Sequence, residues 1–356
     1  MSLRLLPPFS VGASALLLTA AGSLLFRSPP PTPPDPFADL PLALVRELPE
    51  PFLLPGLETE PPSSYSEQVR ASFQIRVRDL VIPYRVLALT VRPGETLEIS
   101  LDGVGTGKGA GSLPFQFRTP EGLAPPVTPG RWQWTAPRET GAVPLRIESL
   151  SDGDAISLNV LVIHPFDAVE NGSMNGFRIG EYRLSRDRSP PPGFIEAHPE
   201  VLGLRVAPGF VLRQFLPHQP GNPRYLALSE ALLLKLEAVL EEVKASGIEA
   251  RTLHVMSGFR TPFYNRAIGN TTDASRHLWG DAADIFIDET GNGRMDDLTG
   301  NGSGGHEDAL LLHQIVERVE ARGEPHVRPG GLHIYRANAV RGPFLHVDAR
   351  GVPARW

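Results

Sequence analysis

The sequence predicts an α+β protein in which an all-β, Ig-like sandwich precedes a domain mixing strands and helices. Three observations carry that expectation. Residues from about 65 to 165 alternate apolar and polar side chains with a period of two, in short runs separated by Pro and Gly turns. Ser229–Ala245 instead repeats its apolar residues at helical spacing, through Leu232, Leu233, Leu236, Val239, Leu240 and Val243, and ends at Ser246-Gly247. Strand-like runs at Arg251–Met256 and Ala282–Ile287 follow that helix, and a further helical pattern spans Glu307–Ala321.

Taken in chain order, residues 1–27 read as a signal peptide or a membrane anchor. Leu5 to Phe26 is uncharged and flanked by Arg4 and Arg27, with its densest apolar part at Ala13–Ala21. Ala20-Ala21-Gly22 suits cleavage, while retention of the whole segment would tether the chain to a membrane. Residues 28–62 hold 12 prolines in 35 positions and read as an extended linker, because proline fixes φ and removes backbone donors. Residues 63–165 are the predicted sandwich. Its strands include Ser72–Arg78, Val86–Val91, Leu97–Leu101, Trp132–Trp134, Pro144–Leu150 and Ile156–Ile163. Residues 166–198 read as a connector and 199–356 as the second domain.

Composition excludes several chemistries. The 356 residues contain no Cys, which removes disulfides, thiolate metal sites and cysteine nucleophiles. Any metal must be held by His and carboxylates. A formal net charge of −6 gives no basic footprint for nucleic acid.

The chemistry concentrates in Ser257-Gly258-Phe259-Arg260, in Ser275-Arg276-His277 through Asp284, and in Phe344-Leu345-His346-Val347-Asp348. His277 in a turn, Asp284 on one strand and His346 on another can converge on one metal ion. Two imidazoles and a carboxylate leave a fourth position open, as catalytic zinc sites do. The Ser-Gly-Phe-Arg, Ser-x-His-x6-Asp and late His-x-Asp pattern resembles the zinc D-alanyl-D-alanine carboxypeptidases and murein endopeptidases. Those enzymes share their catalytic fold with the hedgehog signalling domain. The likeness covers about residues 195–356 and is nearest a bacterial envelope branch with an added β-domain. It implies a small antiparallel sheet with flanking helices, a zinc cofactor and a peptidoglycan substrate. It also implies zinc ligation by His277, Asp284 and His346, and a substrate-anchoring Arg260, for which a structural salt bridge is the plainer alternative. Ser275 would position the loop that bears His277.

One departure bears on mechanism. Many members of that family carry a catalytic acid or His shortly before the last zinc His, whereas Arg341-Gly-Pro-Phe-Leu345 stands here. Asp348 then becomes the candidate base, since residues i and i+2 of a strand share a face. The same position would equally let Asp348 orient a ligand. His333 is a further candidate, and His254 reads as a packing residue.

A second metal signal lies at 288–308. Asp288, Thr290 and Asn292 precede Gly293, and Asp297, Thr299 and Asn301 precede Gly302, with Asp308 at the twelfth position of the second loop. That pattern suits calcium. An Asx-rich turn ordered by its own side chains accounts for it equally.

The expected function is therefore that of an exported zinc metallopeptidase of the periplasm or cell envelope, hydrolysing amide bonds in peptidoglycan stem peptides or cross-bridges. The alternative is a catalytically inactive, zinc-containing wall-binding or scaffold protein. The expected partners are peptidoglycan and, through the N-terminal segment, a membrane, but not nucleic acid.

Overall fold

The computed structural model describes residues 68–103, 114–183 and 189–356. The export segment and Pro-rich linker lie outside these residues. Among those described, no helix is long and apolar enough to cross a membrane.

The expected alternation produces two sheets. β1 (Arg70–Val77), β2 (Leu80–Tyr84), β4 (Thr96–Leu101) and β7 (Arg131–Thr135) form an antiparallel sheet in the order β2-β1-β4-β7. β3 (Val86–Val91), β5 (Phe115–Thr119), β6 (Gly122–Ala124), β8 (Gly141–Ser149) and β9 (Ala155–Val162) form the other, in the order β3-β9-β8-β5-β6. Only the β3–β9 pair in it is parallel. Rings link the two sheets: Phe73 meets Phe115 edge-on at 4.9 Å, and Phe117 lies 6.0 Å from Trp132. The pattern in β4 and β7 is one-sided, with Leu97, Ile99, Trp132 and Trp134 buried and their neighbours exposed or half-buried. β2 and β9 are buried at every position, so β2 carries no alternation for a sequence reading to find.

β9 is buried throughout because the chain beyond it packs against this sheet. The Asn159 amide donates to the Arg205 carbonyl at 2.7 Å, and the Thr90 backbone N–H donates to Glu230 at 2.7 Å. Tyr84 donates to Glu241 at 2.7 Å, and Arg70 pairs with both Glu241 and Glu324. One hydrophobic core runs from Ile75 to Ala349 without a break.

The described part of the predicted connector does structural work of its own. Its strand β13 (Gly193–Glu196) lies between β10 (His164–Pro165), from the end of the predicted sandwich span, and β16 (Tyr225–Leu226) in a three-stranded sheet. Between β10 and β13 in the chain, β11 (Ser173–Met174) and β12 (Phe177–Arg178) form a hairpin. Beyond it come the one-turn helix α1 (Pro199–Leu202) and the paired strands β14 (Arg205–Ala207) and β15 (Phe210–Val211).

α2 (Glu230–Ala245) fills the span predicted for it, but it is not the amphipathic surface helix that its stripe suggests. Leu234, Lys235 and Glu237 are buried as well, because β3 and β14 lie on one side of it and α4 (His306–Ala321) on another. The remaining elements are β17 (His254–Ser257), α3 (Pro262–Ala267), β18 (Ala282–Phe286), β19 (Gly331–Tyr335), β20 (Phe344–Asp348) and β21 (Ala354–Arg355). The strands among them form a five-stranded sheet in the order β17-β18-β20-β19-β21, antiparallel except for β19–β21. This sheet positions the site.

Candidate metal centre

Pairing register assembles the centre. Ser257 on β17 stands opposite Asp284 on β18, Asp284 opposite His346 on β20, and His346 opposite His333 on β19. Four polar residues thus lie in one row across four strands, and alternation turns all four toward the same face. His277 reaches that row from a 3-10 turn at Arg276–Trp279, which Leu278 N–H closes onto the Ser275 carbonyl at 3.1 Å. The turn ends at Gly280, whose φ of +68° is left-handed. A Cβ there would lie 2.1 Å from the Ala227 carbonyl oxygen, so only glycine lets the turn approach that backbone.

Each residue of Ser257–Arg260 serves this arrangement. Ser257 Oγ accepts from Arg260 Nε at 2.9 Å, and the Gly258 carbonyl accepts from His277 Nδ1 at 2.6 Å. Phe259 is buried beside Phe194. Arg260 donates through Nη2 to Asp284 Oδ2 at 2.5 Å, and its backbone N–H donates to the His277 carbonyl at 3.1 Å. Arg260 is therefore a buried partner of Asp284.

The donor atoms converge. His277 Nε2 lies 3.1 Å from His346 Nδ1 and 3.2 Å from Asp284 Oδ1, and His346 Nδ1 lies 3.1 Å from the same oxygen. All three residues are buried, and they are the one group of three or more His and carboxylates among the described residues that could hold a metal ion. The triangle suits a small tetrahedral cation, since bonds of about 2.0–2.1 Å place neighbouring ligand atoms about 3.3–3.4 Å apart. Two imidazole nitrogens and one carboxylate oxygen are also the donor types that zinc takes.

Protonation states favour the same use. Burial, with the Arg260 charge nearby, pushes His277 down to about 4, so its ring is neutral at physiological pH. With Nδ1–H given to Gly258, the lone pair sits on Nε2, facing the cluster. Burial alone would raise Asp284, but the imidazole of His277 and the guanidinium of Arg260 hold it well below the usual carboxylate range.

Asp348 stands behind His346. Its Oδ2 lies 3.3 Å from His346 Nε2, the nitrogen turned away from the cluster. Both carboxylate oxygens are further engaged by Arg350, and Oδ1 accepts Gly331 N–H at 2.8 Å. Burial pushes this carboxyl up, but the His346 and Arg350 hydrogen bonds outweigh it and hold it far below its ordinary value. Gly331 makes the contact feasible, since a Cβ there would fall 2.2 Å from Asp348 Oδ2. From beneath, the buried Lys235 ammonium donates to the Asp348 carbonyl at 2.6 Å and to Glu320 at 2.5 Å.

The other predicted residues fall as follows. His333 is half-buried beside the cluster, its ring stacked on Trp356 with centroids 5.4 Å apart and its Nδ1 held by the Trp356 main-chain oxygen. His254 stacks on Phe286 at 4.4 Å, the packing role expected of it. Tyr335, Arg350 and Trp356 were not singled out from the sequence. The period-two spacing of Tyr335 from His333 was the available signal, and it has meaning only once β19 is placed beside β20.

The calcium pattern forms two Asx turns. Asp288 accepts from the N–H groups of Asn292 and Gly293, both at 2.9 Å. Asp297 repeats this with Asn301 and Gly302 at 3.0 and 2.7 Å. Asn292 and Asn301 accept from Arg294 and Ser303, and the Thr290 hydroxyl bonds Asp296. Asp308 accepts from the N–H groups of Leu298, Thr299 and Gly305 and from the Thr299 hydroxyl, which pins the loop to the first turn of α4. These hydrogen bonds order the loop through its own backbone and side-chain donors. Calcium gains no support here, and the self-ordered turn accounts for the pattern.

Residues 221–304 match the family model described as Peptidase M15. Neither a curated protein nor a solved structure matches the chain. The matched span contains Arg260, His277 and Asp284; His333, His346 and Asp348 lie beyond it. The chain thus carries a domain of a metallopeptidase family, in a mixed α+β fold.

Proposed function

We propose that this protein is an exported zinc metallopeptidase that hydrolyses amide bonds in peptidoglycan stem peptides or cross-bridges. The observation that carries the reading is the triangle of His277 Nε2, His346 Nδ1 and Asp284 Oδ1, with edges of 3.1–3.2 Å, two of whose residues fall in the span that matches Peptidase M15. A zinc ion bound there would supply Lewis acidity, making water nucleophilic near neutral pH and polarising the scissile carbonyl.

The chain's own residues supply the rest. Arg260 fixes Asp284 by engaging the oxygen turned away from the imidazoles, so its part in substrate binding is indirect. Asp348 orients His346 and selects the tautomer with Nδ1 free, which makes it a positioning residue and not the base. With Asp348 turned away, His333 remains as the half-exposed imidazole on this face able to take a proton from water and pass it to the departing amine. With Nδ1–H given to the Trp356 oxygen, the lone pair that would take this proton sits on Nε2.

Export, an envelope location and association with a membrane rest on the sequence pattern of residues 1–27. The order of the two N-terminal sheets and their bridging rings support reading residues 63–165 as an Ig-like module that holds the peptidase away from that membrane. An inactive zinc-containing scaffold is the competing reading, favoured by the lack of an acid just before His346.

Digestion of purified peptidoglycan by the full chain separates the two. We expect new muropeptide fragments by mass spectrometry, lost with chelator and in His277→Ala. Intact substrate after incubation with protein at one zinc per chain would favour the scaffold.

A further inference from the structure

On the face that carries His346 and His333, β19 presents one more polar group. Tyr335 follows His333 by two residues and pairs in register with Phe344, which precedes His346 by two. Its hydroxyl therefore belongs to the row next to the metal set, on the same side of the sheet. The ring cannot wander. It stacks on Phe344 with centroids 4.8 Å apart and planes 12° from parallel, and it meets the His333 ring edge-on at 4.8 Å. The phenolic O–H is itself a hydrogen-bond donor.

Resting on the peptidase reading, the geometry points to Tyr335 as a further catalytic residue: its O–H donates a hydrogen bond to the scissile carbonyl oxygen as negative charge builds there during attack. The group is exposed to arriving substrate, at 36 % of its surface, and it lies within the electrostatic reach of Asp284 and Arg260. Arg260 itself is committed to Asp284 and Ser257, which leaves Tyr335 to add a protein donor beside the metal's polarisation of that oxygen. Burial, and then the negative charge of Asp284, push the phenol above its ordinary value, so it keeps its proton at any pH where the enzyme works. A donor whose ring is fixed by stacking is pre-organised, the property that makes such groups effective in a transition state.

Tyr335→Phe keeps both ring contacts and deletes only the hydroxyl. On a purified muropeptide we expect kcat to fall about 100-fold, with KM within about threefold of wild type, as for an interaction made only in the transition state. Zinc stoichiometry should be unchanged. A dipeptide phosphinate, whose tetrahedral oxyanion imitates that state, should bind about 100-fold more weakly to the variant by calorimetry, while an unreactive amide peptide binds both proteins alike. Wild-type kcat and wild-type phosphinate affinity in Tyr335→Phe would overturn the assignment, and so would a failure of the wild type to bind the phosphinate. If only Tyr335→Ala were defective, the ring would be structural and the hydroxyl idle. Phosphinate binding that depends on the hydroxyl, in a protein that leaves muropeptides intact, would sink the peptidoglycan reading while upholding Tyr335.

Discussion

At the scale of single residues, the centre depends on carboxylates with unlike tasks. Asp284 Oδ1 faces the imidazoles, while Asp348 never meets the cluster and acts through His346. Asp348→Asn keeps the shape but removes the charge that His346 Nε2–H and Arg350 both engage. We expect zinc affinity to fall about 10- to 100-fold, the usual effect of losing an outer partner of a ligand, measured by competition with a chromogenic chelator. Unchanged affinity would show that Arg350 and His346 hold their places unaided. The convergence of His277, Asp284 and His346 was legible in the sequence, because strand parity and a short turn suffice to bring them together. The task of Asp348 was not. Parity puts residues i and i+2 on one face, but only the direction of the His346 ring decides whether Asp348 looks into the cluster or stands behind it.

At the scale of elements, α2 carries the clearest conflict between pattern and placement. Its apolar stripe was plain in the sequence, but layers on two sides of the helix also bury Lys235 and Glu237. Nothing local announces such burial, since it depends on what the distant β3, β14 and α4 do. Lys235 finds Glu320 and the Asp348 carbonyl, whereas Glu237 accepts only from Gly209 N–H, at 2.7 Å, and its Oε1 has no partner among the described residues. Burial accordingly pushes Glu237 up to about 7 from 4.5. Because the folded protein holds this proton more tightly than the unfolded chain does, the contribution is fully present below pH 4.5. It is lost as pH rises from 4.5 through about 7, and amounts to about 3 kcal/mol. Glu237→Gln should abolish this part of the pH dependence and raise stability at pH 8 by up to that amount. Urea unfolding midpoints of both proteins from pH 5 to 8 test it, and parallel curves would refute it.

At the scale of the whole molecule, the α+β character and most strands of both parts were legible, because short alternating runs between Pro and Gly turns are local signals. The fusion of the parts was not. β3 and β9 present a second face to β14 and α2, and contacts such as Thr90–Glu230 and Asn159–Arg205 close it. A fully buried strand looks alike whether its second cover is its own sheet partner or a distant helix. With one continuous core, calorimetry of the full chain should give a single cooperative transition through this region. Residues 199–356 expressed alone should aggregate, having lost the cover over α2 and β14. Two well-separated transitions, or a soluble and folded fragment, would contradict the shared core.

The row Ser257–Asp284–His346–His333 has a practical corollary. A slip of one residue between neighbouring strands turns a whole strand's side chains to the opposite face. Misregistered molecules would therefore forfeit the ion outright instead of binding it a little less well. Counting zinc per chain after refolding would then grade the preparation, reporting the fraction of molecules whose strands found their proper alignment before any substrate is added.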